Sequence, residues 1–218
     1  MRMRPTAVLP TFALALGTLG LAFAGGCGGA APPGAGEAPV AQGAAPTCAP
    51  GASLLVPIAS PNQSSAVALG SLKEGPLAGK TLAFVADQDD KSLAVVDVDA
   101  HKELSTVRLD GAPGQVMIMD DGRVMVTIRD KNKLAVFNAA ADGTLTRGCG
   151  VDTAAEPIAL ATTPDKKTLL VSAGWGHALE AYDSASLSKK AEVTLPREPR
   201  TIVVDDDGKT AYVSHAVG

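Results

Sequence analysis

The sequence predicts an all-β fold, a β-propeller, because one unit of four short strands recurs along the chain. Three observations support this prediction. A strand-like run that begins with a basic residue recurs at intervals of 43, 44 and 42 residues, with starts at Lys80, Arg123, Lys167 and Lys209. A second apolar run follows a polar turn and ends on Asp or Asn, at Asp97, Asn138 and Asp183. A proline introduces each later unit, at Pro113, Pro157 and Pro199.

The four strands of the unit follow one another in the same order each time. The first is a short apolar run, over residues 64–69 in the first unit and directly after the proline in later units. The second begins at the basic residue. The third closes on Asp or Asn, which favours a turn because the side chain bonds its own backbone. The fourth lies over residues 104–109, 145–151 and 191–195, and turn residues bound each run as expected of short antiparallel strands.

These units divide the chain into blades over residues 64–110, 113–152 and 157–196, with a partial blade over 199–218. About three and a half four-stranded antiparallel blades do not close a ring, because closed propellers have roughly four to eight blades. We therefore expect an incomplete ring, from a fragment of a longer protein or a truncated reading frame, whose open blade edge favours self-association. A β-sandwich also has many short strands, but it gives no reason for the same landmarks to recur in order.

Residues 1–26 have the pattern of a secretory signal peptide. Arg2 and Arg4 precede an apolar stretch over residues 7–24, and Gly25-Gly26-Cys27 follows. The small residues before Cys27 resemble the bacterial lipobox, in which the cysteine becomes the lipidated first residue, although Ala24 stands where that motif usually has Leu. The sequence therefore predicts a lipid anchor at Cys27 and a place in the bacterial cell envelope, at the periplasmic or outer-membrane surface. A plain secretory signal and an uncleaved membrane anchor are the alternatives.

Residues 27–63 are predicted to tether the lipidated cysteine to the propeller. From residue 28 to 49 the chain is almost only Gly, Ala and Pro, which bury too little apolar surface to offset the entropy of ordering. Cys48 and Cys149 remain as an even pair, and an oxidising envelope compartment favours a disulfide between them. The alternative is two free thiols, with Cys149 buried as a small apolar residue.

The composition argues against nucleic acid as a partner. The net charge is −4, with 19 basic and 23 acidic residues, whereas a nucleic-acid surface needs a basic stripe. Removal of the signal peptide takes away two arginines and makes the mature chain more acidic. No nucleophile elbow, phosphate loop or paired-carboxylate arrangement is visible in the sequence. We therefore expect a non-enzymatic protein with no cofactor and no metal site.

The second strand of the unit carries a motif that is known from other repeat proteins. It appears as Ala211-Tyr212-Val213-Ser214-His215, as Leu169-Leu170-Val171-Ser172-Ala173 and, more loosely, as Ala83-Phe84-Val85-Ala86-Asp87. The strand that follows ends as Val96-Asp97 and Tyr182-Asp183. On these motifs, residues 64–218 resemble the YVTN-repeat β-propellers of bacterial envelopes.

A second resemblance rests on a succession of four short stretches, Glu156-Pro157-Ile158, Gly174-Trp175-Gly176, Leu195-Pro196-Arg197-Glu198-Pro199-Arg200 and Ser214-His215-Ala216-Val217-Gly218. This succession is similar to that of bacterial lipoproteins in which the propeller precedes a di-haem cytochrome c peroxidase-like domain. The chain has no Cys-x-x-Cys-His for covalent haem attachment. The resemblance therefore implies that any haem domain would lie beyond Gly218.

The candidate ligand face is the one that carries the turns between the second and third strands and the connections into the next blade. Its candidate residues are Asp87, Asp89, Asp90, Arg129, Asp130, Trp175, His177, Arg197, Glu198, Arg200 and His215. The three aspartates of the first turn offer oxygen ligands to Ca²⁺ or form an ordinary hairpin turn, since they lack the Gly and Glu of a complete calcium loop. The two histidines are metal ligands, electron-transfer contacts or ordinary hydrogen-bonding residues. Trp175 is a stacking surface or packs over the adjoining blade.

The leading functional prediction is an envelope-anchored propeller that serves as a scaffold and binds a protein or a small molecule at this face. The alternative is the propeller part of a periplasmic cytochrome c peroxidase-like oxidoreductase whose haem domain lies outside this chain. A propeller hydrolase such as a lactonase is a third possibility. It requires a cluster of channel-facing acids or histidines that the sequence does not supply.

Overall fold

The computed structural model describes residues 48, 50, 53–59 and 62–216, which form four antiparallel sheets. The first sheet has five strands, β1 (Leu55–Pro57), β2 (Val67–Leu72), β3 (Leu82–Asp87), β4 (Ser92–Asp97) and β5 (Lys102–Arg108). The second has four, β6 (Pro113–Ile118), β7 (Val124–Ile128), β8 (Lys133–Ala139) and β9 (Leu145–Asp152). The third has β10 (Pro157–Thr162), β11 (Thr168–Ala173), β12 (Ala178–Asp183) and β13 (Lys189–Thr194). The fourth has β14 (Pro199–Val204) and β15 (Ala211–His215).

The predicted fold class is confirmed. Each sheet pairs neighbouring strands in chain order, and the first strands β2, β6, β10 and β14 lie side by side, as the inner strands of propeller blades do. Three complete blades and two strands of a fourth form an incomplete ring in the described part of the chain. The one helical segment among these residues is a 3-10 turn at Arg129–Lys131, and no described helix has the length and hydrophobicity that a membrane crossing requires.

The predicted tether is wrong at its C-terminal end. Within the range 27–63, Leu55–Pro57 forms β1 and pairs with β2, so that Leu55 faces Leu72. Leu55 is buried in the core between the first two blades, which is why this segment is held although no repeat marks it. Gln63 also makes an isolated bridge with Ala161. The first strand of blade one lies three residues later than predicted, at β2.

Apolar side chains fill the spaces between adjacent blades. Phe84 of the first blade and Phe137 of the second belong to one buried cluster, and Val136 of the second and Leu169 of the third belong to the next. Ile202 of the fourth blade extends this packing against the third. Burial of each such large side chain contributes about 1.5–3 kcal/mol, so blade-on-blade packing is the main source of stability.

A repeated hydroxyl residue ties the second blade to the third and the third blade to the fourth. β6, β10 and β14 each contain a bulge, and the hydroxyl of the facing second strand accepts a hydrogen bond from a bulge N–H. The three pairs are Thr127 with Gln115 N at 2.9 Å, Ser172 with Ala159 N at 3.2 Å and Ser214 with Thr201 N at 3.1 Å. Thr127 also donates to the Ile158 carbonyl of the next blade at 2.9 Å, and Ser172 donates in the same way to Arg200. In the first blade this position is Ala86, and β2 has no bulge opposite it.

The segment at Cys48 is fastened to the face opposite the candidate ligand face. Cys48 and Cys149 form a disulfide with their Cα atoms 5.2 Å apart, which is the pairing that the cysteine count suggested. The Arg123 side chain, 2% exposed, donates from Nη1 to the Cys48 carbonyl at 2.6 Å. It also pairs with Asp121 at 2.7 Å and donates to the Ser184 carbonyl in the third blade. One buried guanidinium therefore joins two blades and the N-terminal segment.

Candidate functional site

A rim forms on the face where the second strand of each blade turns into the third. We define the rim by the turns at residues 88–91, 129–132 and 174–177 and by the connections at 109–112, 153–156 and 195–198. In the second, third and partial fourth blades, a backbone hydrogen bond joins the segment after the second strand to the connection that enters the blade. In these bonds Arg129 N donates to Ala112 O at 2.8 Å, Gly174 N to Glu156 O at 2.9 Å and Ala216 N to Glu198 O at 3.0 Å. The repeat therefore places equivalent positions of successive blades side by side on the rim.

The rim contains a cleft of about 460 Å³, which we call the main cleft. Its polar lining is Gln88, Arg129, Asp130, Asn132 and Glu156, with Trp175 as its aromatic wall. These side chains come from all three complete blades, so neither one blade nor one loop forms the cleft alone. The volume lies in the range of small-molecule sites, roughly 300–1,000 Å³.

An ion pair between Arg129 and Glu156 forms part of the lining. Arg129 Nη2 bonds Glu156 Oε1, and Arg129 Nη1 donates to Gln88 Oε1 at 3.1 Å. The Glu156 side chain is 12% exposed. Within the described part of the chain, Arg129 Nε and Glu156 Oε2 are buried without a hydrogen-bond partner. The pair is thus held through one oxygen only, and both members keep unused hydrogen-bonding capacity.

Asp130 is fixed on the opposite side of the Arg129 turn. Its Oδ1 accepts from Ala112 N at 2.7 Å, and its Oδ2 lies 3.5 Å from Lys91 Nζ. Burial raises the pKa of the Asp130 carboxyl, but the Ala112 N–H and the Lys91 ammonium lower it further, so the net pKa lies below the ordinary value. Asp130 therefore stays ionised at neutral pH.

The Trp175 ring stands out from the rim and is 75% exposed. The glycines on either side allow its turn to approach the connection before β10 closely. A Cβ on Gly174 would lie 2.6 Å from Glu156 Oε2, and a Cβ on Gly176 would lie 2.8 Å from Ala155 N. The turn backbone is therefore packed while the indole is not, and the ring offers a free aromatic face next to the main cleft.

A second cleft of about 270 Å³ lies on the other side of Trp175 and is lined by His177, Arg197 and Glu198. Arg200 does not line this cleft, but its Nη2 pairs with Glu198 Oε2 at 3.0 Å. His215 is within hydrogen-bonding distance of the Arg197 carbonyl, 2.8 Å from its Nδ1.

The structure brings only part of the predicted ligand face together. Arg129, Asp130 and Trp175 share the main cleft, and Trp175, His177 and Arg197 share the second. The Asp87 carboxylate instead accepts from the N–H groups of Asp89 and Asp90 at 3.0 Å, which caps a hairpin turn. In the described part of the chain, no three or more His, Cys, Asp or Glu residues are grouped as a metal site requires. Cys27 and the predicted signal peptide lie outside the described residues.

Three polar residues of the lining were not among the predicted ones: Gln88, Asn132 and Glu156. Asn132 occupies the same turn position as Lys91 and His177, and all three have a left-handed backbone with φ of 54°, 50° and 50°. Aligning the repeats would therefore have identified Asn132 as a rim residue from the sequence. Gln88 and Glu156 reach the cleft by pairing with Arg129 from other blades, and nothing local in the sequence signals that pairing.

Comparisons with solved structures identify the architecture. Hydrazine synthase of Kuenenia stuttgartiensis superposes with a TM-score of 0.55 at 19% identity, over 63% of this chain and 40% of that one. A functionally unknown protein from Desulfotomaculum acetoxidans gives 0.55 at 16% identity, over 74% and 62%. The β-propeller domain of a Myceliophteria thermophila protein gives 0.50 at 12% identity, over 69% and 51%.

The chain has the β-propeller fold. At these identities the similarity concerns the fold alone, and the chain spans between 40% and 62% of the length of those structures. No family model and no curated protein matches the sequence. The propeller is thus a scaffold whose function has to be argued from its own rim.

Proposed function

We propose that this protein is a ligand-binding β-propeller that takes a small molecule, or the tip of a protein partner, in the main cleft. One observation carries the proposal: the exposed ring of Trp175 stands beside the half-formed Arg129–Glu156 pair. Exposed aromatic residues next to fixed polar groups are common anchors of binding sites. Because the lining comes from three blades whose apolar side chains pack on one another, its side chains are held in place before a ligand arrives, which lowers the entropy cost of binding.

Trp175 provides the test, because it is the only tryptophan of the chain. Its emission reports directly on the cleft in the full protein. We expect at least one probe from a panel of amino acids, nucleotides, dicarboxylates, neutral saccharides and haem to shift or quench it in a saturable way. Arg129→Gln should weaken that response about ten- to a hundred-fold, since a hydrogen bond from a charged group is worth about 1.5–3 kcal/mol.

A matched control separates binding from folding. Lys131 lies on the same turn but not in the lining, so Lys131→Gln should leave the response unchanged. Both variants should keep the circular dichroism spectrum of the parent protein. If no probe moves the emission, or if both variants respond equally, the ligand-binding proposal is wrong.

We further propose that the protein is anchored in the bacterial cell envelope through lipidated Cys27. The disulfide between Cys48 and Cys149 supports an oxidising compartment, because such bonds persist outside the cytosol. Cys27→Ala should leave the protein unprocessed or release it from the membrane fraction. Membrane retention of a correctly processed variant would count against the anchor.

The second candidate is the propeller part of a periplasmic oxidoreductase related to cytochrome c peroxidases, with the rim facing a haem group. It rests on the YVTN-type motifs and on the exposed aromatic ring of the rim. The haem probe distinguishes the two candidates, because a haem held near Trp175 quenches its emission. Saturable quenching by haem alone would favour the oxidoreductase candidate.

A further inference from the structure

The charges of the main cleft compensate one another. Arg129 pairs with Glu156, and Asp130 lies against Lys91 at 3.5 Å. The charged residues of the lining are Arg129, Asp130 and Glu156, and the cations Lys91 and Lys131 both act on Asp130 from outside the lining. A lining of this kind gives no net electrostatic attraction to phosphates or polyanions, because attraction of such ligands requires uncompensated cationic groups.

Two carboxamides in the lining are oriented by the protein. Gln88 Oε1 accepts from Arg129 Nη1 at 3.1 Å, and Asn132 Oδ1 accepts from Glu156 N at 3.0 Å. Since each oxygen is committed to a donor, the NH₂ end of each amide is the group left for a ligand. The Asp130 carboxylate adds an acceptor whose contact with Lys91 is long. The cleft therefore offers donors and an acceptor together, which suits groups that both give and take a hydrogen bond.

Hydroxyl groups have this dual character, and the Trp175 ring suits the rest of such a ligand. A sugar ring presents hydroxyls at its edge and an apolar C–H face that can lie on an indole. We propose that the main cleft binds a neutral saccharide, with its ring on Trp175 and its hydroxyls on Gln88, Asn132 and Asp130. This inference rests on the proposed ligand-binding function and names the chemical class of its ligand.

The first experiment titrates the full protein with uncharged methyl glycosides of glucose, galactose and N-acetylglucosamine and with their disaccharides. We expect saturable shifts of Trp175 emission, with dissociation constants on the order of 1 mM or tighter. Glucose 6-phosphate and glucuronate should bind at least about tenfold more weakly, because Arg129 is already paired with Glu156 and the Asp130 carboxylate repels a further anion. In Trp175→Ala, saturation transfer to the sugar protons should be lost.

The second experiment uses isosteric variants that remove only the NH₂ donors. Asn132→Asp and Gln88→Glu keep the oxygens that accept from Glu156 N and Arg129, and each should weaken saccharide binding about tenfold. The control is Lys131→Gln, next to Asn132 in the chain. It also makes the net charge more negative by one but removes no donor from the lining, so it should bind the saccharide as the parent protein does.

The outcomes separate the two proposals. If neutral saccharides give no shift, or if the donor variants bind as Lys131→Gln does, the saccharide inference is wrong. If an amino acid, a nucleotide, a dicarboxylate or haem then shifts the emission and Arg129→Gln weakens that response, the ligand-binding function stands with another ligand class. If every probe in both series is silent, both proposals are wrong.

Discussion

Replacement of Thr127 by valine tests how the blades are held together. The Thr127 hydroxyl is fully buried, accepts from Gln115 N at 2.9 Å and donates to Ile158 O at 2.9 Å. Valine has the same shape, so Thr127→Val creates no cavity but leaves the buried Ile158 carbonyl and the half-buried Gln115 N–H without this partner. Each such group costs about 1–3 kcal/mol, which gives a loss of roughly 2–6 kcal/mol. For a chain of this size that corresponds to a fall in Tm of roughly 5–20 °C.

The control for this prediction is Thr127→Ser, which keeps the hydroxyl and removes a methyl group worth about 1 kcal/mol. Urea unfolding followed by circular dichroism and by Trp175 emission gives the free energy of unfolding of all three proteins. We expect the serine variant to remain within about 1.5 kcal/mol of the parent and the valine variant to fall clearly below it. Equal losses in the two variants would refute the argument that the hydroxyl joins the blades.

Three further perturbations act on other parts of the fold. Reduction of the Cys48–Cys149 disulfide, which spans 101 residues, should lower the free energy of unfolding by up to about 4.7 kcal/mol, because the unfolded chain gains entropy. Equal urea midpoints with and without reductant would contradict this. Arg123→Met should lower the free energy of unfolding in urea by about 3–5 kcal/mol, because it leaves a carboxylate and buried carbonyls without their donor. A loss below about 1 kcal/mol, as expected for removal of an exposed cation, would contradict this. Burial and the Glu180 carboxylate raise the pKa of Tyr182 above its ordinary value of 10.0, so the neutral tyrosine stabilises the fold fully below pH 10 and this contribution is lost as the pH rises toward the raised pKa. Tyr182→Phe should therefore remove the fall in Tm at alkaline pH. An unchanged dependence of Tm on pH in this variant would exclude the tyrosine as its source.

The blades could be predicted from the sequence because their signals are local. Proline, the basic residue and the closing Asp or Asn each act within a few residues, and the strands of blades two and three begin and end near those landmarks. β1 was missed because it has no counterpart in the repeat and because its pairing with β2 is not encoded in its own short sequence. The composition argument concerned residues 28–49, and the tether was extended over Leu55–Pro57 only because no repeat landmark begins there, whereas tertiary contact makes this segment a strand.

The candidate site could be predicted only in outline. The turn positions of Arg129, Asp130 and Trp175 follow from the repeat, so their place on one face was accessible from sequence. The pairing of Arg129 with Glu156 was not, because it depends on the distance between the side chains of neighbouring blades. Arg123 is a similar case. It occupies the same landmark as the exposed Lys80, yet only Arg123 is buried among carbonyls.

The backbone hydrogen bonds that join each turn to its connection have a consequence for how this protein can change. They use only main-chain atoms, and the donor residue is arginine in the second blade, glycine in the third and alanine in the fourth. Main-chain geometry at the turns is therefore compatible with very different side chains. A duplicated blade can acquire new chemistry at its turn by substitution without repacking its sheet. The same property makes the turns suitable for engineering, since a side chain exchanged at a turn leaves the main-chain bond to the connection in place.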